Sequence, residues 1–220
     1  MYNTQQIIDA ITQQGMLPLY FNADEQVSVE ILRSLYKAGV RIMEFTNRGE
    51  EALANFKKLV EVQRAEMPDA IIGIGTIKNL HQAKTYLDAG AAFLVSAGYD
   101  GEVAAYCSKH DVFYGPGCMT PTEIQAAENA GVKFVKLFPG NMLGPEFMAS
   151  IKDIFPKMVF MPTGGVDTTK ESIDGWYKSG VSAVGMGSKL VSKKLMEAKD
   201  YAGIEKIATE VLGIIRSIRG

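Results

Sequence analysis

Cysteine is nearly absent. The 220 residues hold two, Cys107 and Cys118, and their spacing supports neither a disulfide framework nor a thiolate zinc site. Packed, reduced thiols are the expectation. The two histidines, His81 and His110, fall in helix-like segments without ligand spacing, so no metal is expected. Long basic runs and aromatic–basic stripes are missing and the net charge is −2, which argues against a nucleic-acid partner. No stretch approaches the ~18–20 apolar residues of a membrane span. The opening MYNTQQIIDAITQQG lacks the basic and apolar regions of a secretory leader, so the expectation is a cytoplasmic protein without membrane association. No Pro/Ser-rich linker divides the chain, and no G-x-G-x-x-G follows the first candidate strand, which removes the main signal for a dinucleotide-binding open sheet.

What is present is a regular alternation. Hydrophobic residues make up 47% of the chain and charged residues 22%, enough for a full core. Short β-rich runs at 16–21, 41–46, 70–76, 91–96, 112–117, 133–139, 158–165 and 181–188 alternate with helix-like segments at 25–39, 50–67, 80–90, 101–110, 121–131, 145–155 and 169–180. Glycines 39, 90, 131 and 180 close helices just before strands, where the left-handed C′ position favours them. Strands separated by helices pair in parallel through right-handed crossovers. About eight such units predict an α/β fold of the (β/α)₈ barrel type, a single domain over 1–220 with a helical C-terminal tail. The tail carries Ile204, Ile207, Val211, Ile214, Ile215 and Ile218 at helical spacing. It could cover the barrel or meet a neighbour.

In such barrels the chemistry sits where strands end, and polar residues collect there. In FVKLFPG, strand alternation puts Phe134, Lys136 and Phe138 on the inward face. An interior lysine with a depressed pKa can attack a carbonyl and form an imine; the plain alternative is a lysine that snorkels to solvent. Glu44 in RIMEFT shares its face with Ile42 and Thr46, and a carboxyl beside an imine-forming lysine can shuttle protons; the alternative is a simple salt bridge. Arg48 could hold a substrate carboxylate or lie in a surface loop. PTGGV after the seventh strand and GMGS after the eighth place Gly164, Gly165, Gly187 and Ser188 in glycine-rich turns. Their backbone amides suit a phosphate, although tight turns need glycine in any case. Thr120 with Glu123 reads as a capping box, and Trp176 as a core or interface residue.

The segments GVRIMEFTNR, GIGT, GPGCMTPTE, VKLFPG, MPTGGV and GMGSKL, in this order and spacing, resemble the class I 2-keto-3-deoxy-6-phosphogluconate / 4-hydroxy-2-oxoglutarate (KDPG/KHG) aldolase family, over about 17–190. The resemblance implies a homotrimeric (β/α)₈ barrel that cleaves 2-keto-3-deoxy sugar acids, often 6-phosphorylated, to pyruvate and an aldehyde such as glyceraldehyde 3-phosphate or glyoxylate, without a metal or other cofactor. It matches Lys136 to the Schiff-base lysine and Glu44 to the proton-transfer glutamate. Arg48 and Thr76 match residues around the pyruvyl carboxylate, Thr163 a threonine at the substrate, and Gly164, Gly165, Gly187 and Ser188 the phosphate-binding turns. Asn47, Ala97 and Gly140 depart from the family pattern near the substrate end. Two other readings share the barrel: a sugar-phosphate isomerase or epimerase, and a non-catalytic sugar-acid phosphate-binding protein.

Overall fold

The structure, a computed structural model, describes residues 2–220. Its first element is one that the strand–helix alternation does not predict. Helix α1 (Thr4–Gln14) starts at an Asn3–Gln6 capping box and stops at Gly15 in the left-handed conformation (φ 80°). Ile7, Ile8 and Ile11 form one apolar face and all three are buried.

The alternation then runs as expected. β1 (Met16–Tyr20) leads to α2 (Glu25–Lys37), β2 (Ile42–Thr46) to α3 (Ala52–Glu66), β3 (Ile71–Gly75) to α4 (Leu80–Asp88), and β4 (Leu94–Val95) to α5 (Gly101–His110). The strand expected over 112–117 is two short pieces, β5 (Tyr114–Gly115) and β6 (Gly117–Cys118), parted at Pro116, which has no N–H for a ladder. After α6 (Pro121–Asn129) come β7 (Phe134–Leu137), α7 (Gly140–Ile151), β8 (Val159–Pro162), α8 (Lys170–Ser179), β9 (Val184–Met186), α9 (Lys193–Glu197) and α10 (Tyr201–Arg219). The helix expected from 145 is preceded by an additional turn from Gly140; the two are parted at Gly144 (φ 76°, ψ 166°), which is not helical and precedes Pro145, a residue that disfavours a helical one before it.

All strand pairs are parallel, in the orders β5-β4-β3-β2-β1-β9 and β6-β7-β8. An isolated parallel bridge pairs Thr163 with Gly185, and the Ser182 amide donates to the Phe160 carbonyl at 3.1 Å. On the other side the Lys136 amide donates to the Pro116 carbonyl at 2.9 Å. The result is an α/β fold whose parallel sheet curls around an apolar interior, with helices outside.

Two packed layers follow from strand alternation. Outward residues such as Val135 and Leu137 meet the helices in the larger core. Inward residues Leu17, Ile42, Ile71, Phe93, Phe113 and Phe134 form a second cluster, joined by the three isoleucines of α1. α1 therefore seals the end of the interior opposite the strand C-termini. Two residues further along these strands, the inward positions change character. Ile42 gives way to Glu44, Ile71 to Gly73 and Gly75, Phe113 to Gly115, Phe134 to Lys136, and Ala183 to Gly185. Bulky side chains fill the lower interior; glycines above leave room for two ionisable ones. The tail also resolves: α10 buries Ile204, Ala208, Val211, Leu212 and Ile215 and packs against α2 and α8. Trp176 is in the core, and both cysteines are buried free thiols that burial pushes up to about 12. No helix among the described residues is long and apolar enough to cross a membrane.

Candidate active site

Lys136 sits on β7 with 5% of its surface exposed, and Glu44 on β2 with none. Both point into the interior, as alternation requires. Burial depresses the Lys136 ammonium; Glu44 opposes that shift and the Arg48 charge adds to it. Burial likewise raises the Glu44 carboxyl above its ordinary range, against the pull of Lys136 and Arg48. Each group thus feels the other. Even so, no salt bridge joins them: among the described residues the Lys136 ammonium has no carboxylate within 4.0 Å. Nζ lies instead 5.0 Å from the centroid of the Phe138 ring.

Three buried side-chain oxygens lack a hydrogen-bond partner among the described residues: both carboxyl oxygens of Glu44, and Oγ1 of Thr163. Buried polar atoms are normally satisfied, so three orphans from two inward residues mark a place built for a ligand. Glycine makes that place. A Cβ on Gly75 would occupy the position of Glu44 Oε1, and one on Gly185 would meet Thr163 Oγ1.

Above this floor opens a cavity of about 270 Å³. Its wall includes Arg48, Phe138, Thr163, Gly164, Gly165, Gly187 and Ser188. Six of the residues expected at the site (Arg48, Thr163, Gly164, Gly165, Gly187 and Ser188) thus share one wall; Lys136 and Glu44 do not line it, but each stands two residues before a lining residue of its own strand run, Phe138 and Thr46. Thr76 does not line this cavity. It is half-buried at the end of β3, and its φ of 63° is unusual for a β-branched residue. Backbone strain of this kind, about 1–3 kcal/mol, persists where surrounding structure enforces it and gathers at functional sites. Gly164 (φ 94°) and Gly165 (φ 76°) need glycine's freedom. No backbone carbonyl among the described residues accepts from the amides of Gly164, Gly165 or Ser188, which leaves these donors for an anion.

Sequence reasoning missed several contributors. Phe138 forms both cavity wall and lysine contact. The space-making glycines on β3 and β9 could have been found by carrying the inward register along GIGT and AVGMG. Lys189, next to Ser188, pairs with Asp167 at 2.9 Å. Ser96, at the end of the fourth strand, is already satisfied by the Gly98 carbonyl and the Tyr114 hydroxyl. Asn47 turns from the cavity; its Oδ1 accepts from the Tyr86 hydroxyl at 2.8 Å. At Gly140, a Cβ would lie 2.9 Å from the Gly164 carbonyl oxygen, so the missing side chain lets two mouth turns touch.

A lysine depressed and a carboxyl raised by burial, facing one interior on a parallel α/β scaffold, suit imine chemistry. Comparison with known proteins narrows it. A family model for KDPG and KHG aldolase matches residues 7–207, and the chain belongs to that family. It is 30% identical over 213 residues to the 2-dehydro-3-deoxy-phosphogluconate aldolase of Treponema pallidum, covering 95% of this chain and 97% of that one. With the KHG/KDPG aldolase of Escherichia coli K12 it shares 29% over 203 residues, 92% of each. The KDPG aldolase of Legionella pneumophila, solved with pyruvate captured as a covalent carbinolamine, has the same fold, with a TM-score of 0.84 at 24% identity over 92% of this chain and 96% of that one.

Proposed function

We propose that the protein is a class I aldolase, a carbon–carbon lyase that cleaves a 2-keto-3-deoxy sugar acid to pyruvate and an aldehyde, with Lys136 as the imine-forming residue. One observation carries the reading. Lys136 is a nearly enclosed lysine, depressed by burial, beside a carboxyl whose two oxygens have no partner. A structural ion pair would have closed that gap; a site awaiting a substrate carbonyl would not. Family membership supports the same reaction.

The chemistry follows from the two shifts. A lowered pKa gives Lys136 the neutral lone pair that attacks the C2 carbonyl of the substrate. Glu44, whose carboxyl burial raises, protonates the departing carbinolamine hydroxyl and then, as carboxylate, accepts the C4 hydroxyl proton. The C3–C4 bond breaks, its electron pair passes to the iminium nitrogen, and the aldehyde leaves. The resulting enamine is protonated at C3, and water hydrolyses the pyruvate imine to release Lys136. Arg48 and Thr76 hold the carboxylate end, and Thr163 offers its orphan hydroxyl to the substrate. The turns at Gly164–Gly165 and Gly187–Ser188 receive the far end, a phosphate in a 6-phosphorylated substrate, and binding there orients the reacting carbons. No metal takes part in these steps.

The same proposal covers the scaffold. The Thr163–Gly185 bridge and the continuous chain through Pro116 favour a closed (β/α)₈ ring in a single domain over 1–220, and family membership favours a homotrimer. The test of the reaction is Lys136→Met. Pyruvate release should fall by at least about 10³-fold, since a nucleophile has no substitute, while circular dichroism stays that of the parent. Normal turnover by the folded variant would overturn the assignment.

A further inference from the structure

Two cationic side chains line the cavity, Arg48 and Lys189, and their situations differ. Among the described residues no carboxylate lies within 4.0 Å of Arg48, so its charge is open to a substrate anion. Lys189 follows Ser188 in the second glycine turn, and its Nζ is 2.9 Å from Asp167 Oδ2. Asp167 stands two residues after Gly165, just beyond the first glycine turn, and is itself anchored. Its Oδ1 accepts from the Thr168 amide at 2.7 Å, and its own amide donates to Ser172 Oγ at 3.0 Å. The pair therefore spans the two turns that receive the far end of the substrate, and it cancels the one lysine charge there. What these turns offer is backbone amides and the Ser188 hydroxyl, without a free cation.

We propose that Asp167 is a specificity-determining residue: by holding Lys189, it withholds that cation from the far end of the substrate. The site's preference for a phosphate dianion over a hydroxyl or a singly charged group is then weaker than it would be with Lys189 free. This deepens the aldolase reading and rests on it. The Lys189–Asp167 pair is partly exposed, with side-chain exposures of 56% and 39%, so it is loose enough for one partner to be lost without unfolding the turn. Asparagine in place of Asp167 keeps the acceptor for the Thr168 amide and removes only the charge.

The experiment compares the parent and Asp167→Asn on a phosphorylated 2-keto-3-deoxy sugar acid and its unphosphorylated counterpart. It also measures binding of inorganic phosphate by calorimetry, which needs no turnover. Freed Lys189 should lower KM for the phosphorylated substrate about 3- to 10-fold, the scale of one charge-assisted contact at a partly exposed site. KM for the unphosphorylated substrate and both kcat values should stay within about twofold. The improved KM should also weaken with added salt more than the parent's, and phosphate should bind the variant more tightly. Adding Lys189→Met to Asp167→Asn should abolish the gain, a result that a structural role for Asp167 would not produce. A raised KM for the phosphorylated substrate, equal changes for both substrates, or unaltered phosphate binding would overturn the proposal. If neither substrate is turned over by the parent, the aldolase reading fails, and phosphate binding alone still decides whether Asp167 withholds Lys189.

Discussion

Lys136 is costly where it stands. Burying an ammonium disfavours its charged form by several kcal/mol even after the surroundings relax, and no close ion pair offsets that here. Glu44 is in the same position with the opposite charge. Its raised pKa has a consequence for stability. Between the ordinary value of 4.5 and its higher native one, the folded protein keeps a proton that the unfolded chain has released. Stability contributed by this group therefore falls as pH rises through that window. Glu44→Gln has no such titration. Its Tm relative to the parent should climb as pH rises from about 4.5 and converge with it below. Aldol turnover in the same variant should drop about 10²- to 10⁴-fold, the range for loss of a general acid–base. A Tm difference flat across pH, or undiminished turnover, would contradict the roles given to this carboxyl.

At the scale of elements, the strands show how far a single sequence can be read. The period of two in FVKL and IMEF correctly placed Lys136 and Glu44 inward, because every second residue must face the interior whatever the strand's exact ends. The ends themselves were less legible. Tertiary pairing leaves only Leu94–Val95 of AAFLVS as strand, and Pro116 breaks the fifth run for want of an N–H. α1 was missed because it lies before the first strand–helix unit, and its isoleucines gain meaning only once an open interior exists for them to close. Glycine on β3 is the instructive case. Read as local flexibility, Gly75 is uninformative; in the curled sheet it is the space that Glu44 occupies. Gly75→Ala should push that carboxyl aside and cut kcat about 10²-fold, comparable to weakening the general acid–base. The parallel ladder should survive, because alanine tolerates strand geometry. Unchanged kcat in a folded Gly75→Ala protein would show that Glu44 does not depend on that space.

For the whole molecule, site and stability divide along the interior axis. One end is filled by aromatic and aliphatic side chains and sealed by α1; the other is hollowed by glycines and closed over by the strand-to-helix turns. α10 packs against α2 and α8 from outside, so one face of the tail joins the helical coat. The order of motifs along the sequence was enough to place the mouth residues together, because parallel strands deliver all their C-terminal ends to one side. It was not enough to show that Thr76 lies outside the cavity lined by these turns, or that Lys189 already has a partner, since both depend on loop paths that no periodicity encodes. The central claim is the imine, and borohydride reduction in the presence of pyruvate tests it most directly. Intact mass should show one pyruvate-derived adduct per chain, and peptide mapping should place it on Lys136, with none on Lys136→Met. No adduct on folded protein across a range of pH, or an adduct on another lysine, would contradict the account.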